Sequence, residues 1–336
     1  MKIIDNIPVF GEADPGAWSQ INTCFRSADY AALMADNHKG YAVPIGGVLA
    51  YLDRISPSGV GYYIVCGNLA VKTDFSSAEL RANIGTIMDD VIANISFGVG
   101  RNNQTRVDHP LFESETWKLH PAKGLKQLAE NQLGTVGSGN HYVDLLLDES
   151  DNVWVGVHFG SRGLGHKIAT HFLKAGGAKD GMDVEPLVIP ANTDLGIDYI
   201  ECMRLAGEYA YAGREWVCAE VARILGARIV ESVHNHHNFA WEEEHGGYKM
   251  WVVRKGSTPA FPGQRGFVGG TMGDISVILE GVDSEDSRTA LYSTIHGAGR
   301  AMSRTAARGK INRKTGEIIS PGLVSQGAMQ EWLDQA

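Results

Sequence analysis

Val43-Pro44-Ile45-Gly46-Gly47-Val48, followed by Gly59-Val60-Gly61-Tyr62, is the first indication of the fold class. Throughout residues 42–71 short apolar runs alternate with Gly and Pro, which predicts strands joined by tight turns. Immediately afterwards, Ser76-Ser77-Ala78-Glu79 has the capping-box pattern that begins a helix. Because strands and helices follow one another without regular βαβ alternation, we expect an α+β fold with a mixed or antiparallel sheet core and flanking helices.

Apolar periodicity extends this prediction along the chain. After the capping box, six apolar residues recur at helical spacing: Leu80, Ile84, Ile87, Met88, Val91 and Ile95. A second long helix is predicted for residues 195–225. Further strands are predicted at residues 153–159, 228–234, 249–253 and 275–279. No internal repeat, low-complexity tract or linker interrupts the sequence, so we expect residues 1–336 to form a single large domain.

The composition limits the classes of protein that need to be considered. The chain has 43% hydrophobic and 21% charged residues, as expected of a globular protein. Its net charge of −9 argues mildly against a protein that coats nucleic acid, but a local basic groove remains compatible with it. The 41 glycines predict sites built from backbone groups, since Gly allows a close approach of the main chain to a ligand.

The cysteines and the N-terminus predict the compartment. The four cysteines (Cys24, Cys66, Cys202 and Cys218) show no paired spacing. The first residues lack the apolar stretch of a signal peptide, and no run of about eighteen apolar residues suggests a membrane span. We therefore expect a cytoplasmic protein in which a lone Cys is a candidate ligand or nucleophile.

Six histidines stand in short contexts rich in Gly, Asn or Ser: His141, His158, His234, His236, His237 and His296. Each one alone is more often structural than functional. Their shared setting favours function, because glycines beside a His expose backbone N–H groups that suit phosphate binding.

Cys66, in Ile64-Val65-Cys66-Gly67-Asn68, is predicted to follow a strand. It has two interpretations of equal weight. It is either a buried small hydrophobic residue or a thiolate metal ligand that joins imidazoles from elsewhere in the chain. A mixed sulfur and nitrogen set suits Zn²⁺, Mn²⁺, Fe²⁺ or Co²⁺, and the sequence alone does not choose among them.

Residues 287–316 hold seven basic residues and no acidic one. A helix after His296-Gly297-Ala298-Gly299 would place Arg300, Arg304 and Arg308 on one face, beside a glycine turn suited to an anion. A solvated basic helix face is the competing interpretation. The histidine at the start of the segment favours anion binding.

These segments together resemble the RtcB family of GTP-dependent RNA-splicing ligases, in family order over nearly the whole chain. The most specific matches are Gly137-Ser138-Gly139-Asn140-His141-Tyr142, His158-Phe159-Gly160-Ser161-Arg162-Gly163, His236-His237-Asn238, Arg254-Lys255-Gly256 with Gly269-Gly270-Thr271-Met272-Gly273, and His296-Gly297-Ala298-Gly299-Arg300-Ala301-Met302-Ser303-Arg304.

The resemblance implies a role for each matching residue. His296 would attack the GTP α-phosphate and carry GMP. The Mn²⁺ ligands would be Cys66, His141, His158 and His237. The guanylate site would be lined by Asn140, His141, Tyr142, Val143, Asp144, His237, Asn238, Gly269, Gly270, Thr271, Met272, Ser276, His296, Gly297, Ala298 and Gly299. RNA phosphates would be held by Arg162, Arg300 and Arg304.

The resemblance also implies a reaction, in which RNA ends with a 2′,3′-cyclic phosphate or 3′-phosphate are joined to 5′-hydroxyl ends. The process would be tRNA splicing or RNA repair, with an archease-type protein as a possible activating partner.

Three positions depart from the family pattern. Tyr63 stands three residues before Cys66, where the family has Asp, and a phenol is a poor ligand at neutral pH. We therefore expect a second metal ion to bind weakly or be lost, unless water or Asp36 fills the gap. Family members continue, past the position of Ala336, through a further segment whose end supplies a lysine to the guanine nucleotide. Asp144 stands where many relatives have Glu.

These departures leave two alternatives to an active ligase. One is a catalytically impaired RNA-binding homologue in which Tyr63 and the short C-terminus have silenced the chemistry. The other is a metal-dependent phosphoesterase that would turn over without GTP.

Overall fold

The structure, a computed structural model, describes residues 1–179, 181–271, 273–299, 304–312, 315 and 317–335. Within these residues the α-helices are α1 (Pro15–Phe25), α2 (Pro57–Val60), α3 (Ser77–Asn94), α4 (Lys126–Gln132), α5 (Arg162–Ala175), α6 (Asp194–Leu225), α7 (Glu285–Thr289), α8 (Arg304–Arg308) and α9 (Gln326–Gln335). Short 3-10 helices span Pro110–Glu113, Glu115–Lys118 and Ala122–Leu125.

The strands in the same residues are β1 (Lys2–Ile4), β2 (Ile7–Val9), β3 (Tyr30–His38), β4 (Ile45–Tyr51), β5 (Arg54–Ile55), β6 (Gly67–Thr73), β7 (Tyr142–Leu147), β8 (Val153–Phe159), β9 (Ile189–Pro190), β10 (Ile229–His236), β11 (Phe239–His245), β12 (Tyr248–Lys255), β13 (Ser257–Pro259), β14 (Arg265–Val268), β15 (Val277–Glu280), β16 (Ser293–Ile295), β17 (Gly309–Ile311) and β18 (Ile318–Pro321).

The larger sheet has six strands in the order β1-β2-β3-β4-β12-β11. β2 and β3 run parallel, and the other neighbouring strands run antiparallel. The register between β3 and β4 shifts between Leu33 and His38, so the segment that carries Asp36 is irregular. Such irregularities redirect side chains away from the regular alternation of a strand.

The smaller sheet has four antiparallel strands in the order β10-β6-β8-β7. Asn68 of β6 lies opposite both His158 of β8 and Asn235 of β10. Tyr142 of β7 lies opposite His158 on its other side. This register brings the start of β6 and the ends of β8 and β10 to one end of the sheet, where the candidate site lies.

The 32-residue helix α6 packs against β6 and β8 of the smaller sheet. Thr193 caps its first turn by accepting a hydrogen bond from the N–H of Gly196, and Gly226 ends it in the left-handed conformation. Val217, Cys218 and Val221 of this helix share one apolar core with the valines of β8. The earlier half of α6 joins a second core with α1, α5 and the six-stranded sheet. The two sheets are thus packed around one helix.

The predicted fold class is confirmed: helices and strands are mixed, and the sheets are antiparallel apart from one parallel pair. The predicted helices correspond to α3 and α6, and the predicted strands to β8, β10, β12 and β15. The single-domain organisation stays a prediction. In the described part of the chain, no helix combines the length and apolar character that a membrane crossing requires.

Two local predictions were wrong. Gly59 and Val60 belong to the short helix α2, because Pro57 suits a first helical turn and the Ser56 hydroxyl accepts a hydrogen bond from the Gly59 N–H. Cys66 does not follow a strand but directly precedes β6. The turn before it places the thiol at the end of the smaller sheet.

Candidate metal centre

Cys66 is held at the edge of the smaller sheet by a tight turn. Val65 has a positive φ of 53°, an uncommon conformation for a β-branched residue. The fully buried Arg214 of α6 donates hydrogen bonds to the carbonyl oxygens of Val65 at 3.0 Å and of Phe159 at 2.6 Å. One guanidinium therefore ties the turn that carries Cys66 to the end of the strand that carries His158.

His158 is oriented by the amide of Asn68. The Nδ2 of Asn68 donates to the carbonyl oxygen of Phe267 at 2.9 Å, which directs its Oδ1 toward the Nδ1 of His158 at 2.7 Å. An amide oxygen only accepts, so the Nδ1 of His158 carries the proton and its Nε2 presents a lone pair. That Nε2 lies 3.3 Å from the Sγ of Cys66.

His237 follows β10 and is attached to the same turn. Its backbone N–H donates to the carbonyl oxygen of Cys66 at 2.8 Å. Its side chain is buried, and among the described residues no group meets the geometry of a hydrogen bond to either ring nitrogen, although the Asn238 side chain is close enough to influence the ring. A buried imidazole without partners carries a desolvation cost that a bound ligand would remove.

Cys66, His158 and His237 together form a candidate metal centre, because one ligand atom from each lies within 4.8 Å of the others. Burial lowers the pKa of both histidines well below the ordinary value, which keeps the rings neutral and able to coordinate. Burial also raises the pKa of the Cys66 thiol to about 12, although Arg214 and Arg162 oppose this effect. The donor set, one sulfur and two nitrogens, fits a divalent transition-metal ion.

His141 lies at the margin of this centre. Its Nδ1 is 2.8 Å from the carbonyl oxygen of Val136, which fixes the proton on that nitrogen and leaves Nε2 as the coordinating atom. The Nε2 is 3.8 Å from the Sγ of Cys66. His141 thus contacts the thiol at a longer distance than His158 and is not one of the three residues whose ligand atoms all lie within 4.8 Å of one another.

His296 borders the centre on the side of His237, with the two ring centroids 4.7 Å apart. Asp36, whose side chain is 4% exposed, places its Oδ2 2.6 Å from the Nδ1 of His296 and accepts a hydrogen bond from the His296 backbone N–H at 3.0 Å. The two side-chain atoms are close but do not meet the geometry of a hydrogen bond. Gly256 has a positive φ of 59°, and a Cβ there would lie 3.2 Å from the Cε1 of His296.

Unpartnered polar atoms concentrate at this site. Within the part of the chain that the structure describes, four residues of the site have at least one buried side-chain nitrogen or oxygen without a hydrogen bond: Asp36, Tyr142, His237 and His296. Buried polar groups in native proteins are usually paired, so such a concentration indicates a place built to hold ligands.

Most of the residues expected to bind guanylate surround this centre. The Tyr142 ring stacks on His158 with centroids 5.6 Å apart, and the Nδ2 of Asn140 is 3.3 Å from the Nε2 of His158. Asp144 lies two residues along β7 from Tyr142, and burial raises its pKa to about 6. The Val143 side chain points into the apolar core, so only its backbone is available to a ligand.

The glycine turns expected to bind phosphate lie next to one another. Gly269 and Gly297 form a parallel backbone bridge, which joins the turn after β14 to the segment after His296. The Gly270 N–H donates to the hydroxyl of Ser276 at 3.0 Å, and Thr271 is exposed. The side-chain oxygen of Asn238 accepts from the Gly256 N–H at 2.8 Å, so Asn238 connects the His237 segment to the turn beside His296.

The expected RNA-binding arginines divide into two groups. Arg162 is the first residue of α5, and its Nη1 lies 3.3 Å from the Nδ1 of His141. Arg304 begins α8, whereas Arg300 lies outside the described residues. The predicted helix that carries Arg300, Arg304 and Arg308 on one face is therefore seen only from Arg304 onward. Met272, expected in the guanylate site, also lies outside the described residues.

Sequence reasoning missed the supporting residues of the site. Asn68 and Arg214 were not singled out, and Asp36 was considered only as a substitute metal ligand. Arg214 gave one local signal, a charged residue among the apolar positions of α6. Asn68 and Asp36 gave none, because their partners lie 90 and 260 residues away.

Comparison with known proteins shows the family to which the chain is related. Residues 19–127 and 112–324 match the sequence profile of a family described as tRNA-splicing ligase RtcB. The chain is 31% identical over 380 residues to a tRNA-splicing ligase RtcB of Thermococcus kodakarensis, covering 89% of this chain and 79% of that protein. It is 31% identical over 313 residues to the RNA-splicing ligase RtcB of Escherichia coli K12, covering 83% and 76%.

By its site the protein is a candidate metal-binding protein on an α+β scaffold, because Cys66, His158 and His237 converge on one point and could hold an ion. The matches identify the family: the chain belongs to the RtcB family.

Proposed function

We propose that this protein is an RNA ligase that joins a 2′,3′-cyclic phosphate or 3′-phosphate end to a 5′-hydroxyl end through a GMP–histidine intermediate. The observation that carries the proposal is the position of His296, whose ring meets His237 of the candidate metal centre while Asp36 contacts its Nδ1. The names of the relatives support ligation of RNA as the overall activity.

The arrangement around His296 suits a nucleophile. With Asp36 beside Nδ1, the proton of the ring is favoured on that nitrogen and the lone pair on Nε2. Nε2 would attack the α-phosphorus of GTP, forming a P–N bond as the bond to the β-phosphate breaks and pyrophosphate leaves. Water would open a cyclic phosphate to a 3′-phosphate, which then takes the GMP from His296. The 5′-hydroxyl would attack that activated phosphate and release GMP.

The expected metal, Mn²⁺, fits the residues present. A bound ion would satisfy one of the two His237 ring nitrogens and would account for the approach of Cys66 to His158. Cys66, His158 and His237 would hold it, with His141 as the fourth ligand. When bound, the ion would supply positive charge that neutralises phosphate oxygens.

One ion is proposed rather than two. Tyr63 occupies the place where the family has a carboxylate, and its side chain is 64% exposed to solvent. Asp36 is committed to His296 instead of filling that gap.

The test is incubation with Mn²⁺ and GTP labelled at the α-phosphate. We expect an acid-labile labelled protein, and we expect His296→Ala to abolish the label while His109→Ala, at a histidine far along the chain from the site, retains it. If no labelled protein forms at any Mn²⁺ concentration, the ligase proposal is wrong for this chain.

Tyr63 also favours a second candidate, an RNA-binding family member with impaired chemistry. In that case the protein would bind one ion and RNA but form no adduct, and Tyr63→Asp would restore labelling. Tyr63→Phe is the matched control, since it keeps the ring but adds no carboxylate.

A further inference from the structure

Helix α5 starts at the candidate site and leads away from it. Its first residue, Arg162, lies beside His141. Its 14 residues extend about 20 Å at the usual helical rise. They include three Lys or Arg residues, two His residues and no Asp or Glu.

The exposed face of α5 is basic although the chain as a whole is acidic. His166, Lys167 and Lys174 are exposed, and His171 is half-buried. The neighbouring 3-10 helix Ala122–Leu125 packs against α5 and adds the exposed Lys123.

These lysines are available to a ligand. Within the described part of the chain, no carboxylate pairs with the side chains of Lys123, Lys167 and Lys174. His120 lies edge-on to His171, with ring centroids 4.5 Å apart, which extends the same face.

Aromatic rings border this basic face. Tyr62 stacks on His166 with centroids 5.2 Å apart, and Tyr41 meets Tyr62 edge-on at 6.4 Å. Tyr41 is 60% exposed, so its ring is accessible to a ligand. The Ala42 N–H donates a hydrogen bond to the Met182 carbonyl oxygen, which brings the acidic residue Asp183 near Tyr41. The carboxylate of Asp183 is paired with Lys39. Exposed rings beside unpaired cations are the combination that binds unpaired bases and their phosphates.

We propose that this surface binds the single-stranded end of an RNA substrate and directs it toward the metal centre. The surface, called here the α5 ridge, comprises His120, Lys123, His166, Lys167, His171 and Lys174, with Tyr41 and Tyr62 at its side. The proposal rests on the RNA-joining function proposed above. Single-stranded RNA is favoured over duplex because stacked rings can use only bases that are free of partners.

The test is fluorescence anisotropy of a labelled 12-nucleotide RNA with a 3′-phosphate, titrated at several salt concentrations. The triple variant Lys123→Gln, Lys167→Gln, Lys174→Gln removes three charges from the ridge. We expect weaker binding and a slope of log affinity against log salt that is smaller by roughly two. Tyr41→Ala should weaken binding severalfold at every salt concentration, and Tyr41→Phe should not.

Matched controls distinguish RNA binding by the ridge from an effect of the protein's net charge and from the reaction with GTP. The variant Lys2→Gln, Lys72→Gln, Lys249→Gln makes the same charge change elsewhere and should leave the salt slope near the wild-type value. An unchanged slope in the ridge variant, or equal binding of a blunt RNA duplex, would overturn the proposal. Labelling with GTP needs no RNA, so the ridge variant should be labelled as the wild type is. If the wild-type protein is not labelled, the ligase proposal is wrong, whatever the RNA-binding result.

Discussion

At the scale of single residues, Asn68 shapes the candidate centre without belonging to it. Its oxygen fixes the proton on the Nδ1 of His158, and its NH₂ group is anchored on the Phe267 carbonyl. Partners of this kind set the orientation and basicity of a ligating imidazole. Arg214 supports the centre through the backbone. It donates hydrogen bonds to the carbonyl oxygens of Val65, which precedes Cys66, and of Phe159, which follows His158.

We predict that Asn68→Ala lowers Mn²⁺ affinity about 10- to 100-fold, because the His158 ring loses the partner that holds its tautomer. Isothermal titration calorimetry measures the affinity. Asn235→Ala is the matched control: Asn235 is also a buried amide, and its oxygen accepts from the Phe267 N–H at 2.9 Å, but it does not contact His158. Equal losses of affinity in the two variants would show that Asn68 acts only through general stability.

The protonation states of the centre predict the pH dependence of metal binding. The histidine pKa values are lowered, so His158 and His237 need not lose a proton, whereas the Cys66 thiol, with its pKa raised to about 12, must lose one. Affinity should therefore rise about tenfold per pH unit between roughly pH 6 and pH 9. Titration in buffers of different ionisation enthalpy should show about one proton released per ion. A pH-independent affinity would exclude coordination by Cys66.

At the scale of elements, the close pairing of β6 and β10 positions Cys66 and His237. A Cβ at Gly67 would lie 2.5 Å from the Asn235 carbonyl oxygen and 2.6 Å from the His236 Cα. Both contacts are with backbone, which has no rotamer to change. Only glycine allows the strands to approach at the point where the two ligands leave the sheet.

We predict that Gly67→Ala destabilises the protein by about 1–3 kcal/mol, as overpacking does, and weakens metal binding, because β10 must move away from β6. Gly85→Ala is the control, since a Cβ at that position of α3 would have nothing within 4 Å. In the middle of a helix it should stabilise by about 0.5–1 kcal/mol. Urea unfolding measures both, and an unchanged midpoint for Gly67→Ala would contradict the proposed constraint.

At the scale of the whole molecule, the site joins segments that are remote in sequence. Asp36 belongs to the six-stranded sheet and His158 to the four-stranded sheet, Cys66 directly precedes β6, and His296 follows β16. A ligand bound there stabilises the folded chain against unfolding, because the unfolded chain cannot assemble the set.

We predict that Mn²⁺ at about 100 times its dissociation constant stabilises the fold by about 2.7 kcal/mol, or about 5 °C in Tm. Differential scanning calorimetry measures the shift. Cys66→Ala should lose it, and Cys202→Ala, which alters a buried cysteine of α6 away from the site, should keep it. A shift retained by Cys66→Ala would place the ion elsewhere.

The sequence determined the elements of this protein and many of the residues that meet at its site. Apolar spacing predicted α3, α6 and β8, because the period of a helix or strand is a local property. The glycine-rich histidine segments marked His141, His158, His237 and His296, because each carries its signal within a few residues.

The tertiary structure decided what those residues contact. The position of Cys66 before β6, the hydrogen bond from His158 to Asn68, the contact of Asp36 with His296 and the clamp formed by Arg214 all depend on strand register and on helix packing. The hydrogen bonds and contacts among them join residues 55 to 260 positions apart. No local pattern encodes such a distance; it is set only when the apolar faces of both sheets pack around α6.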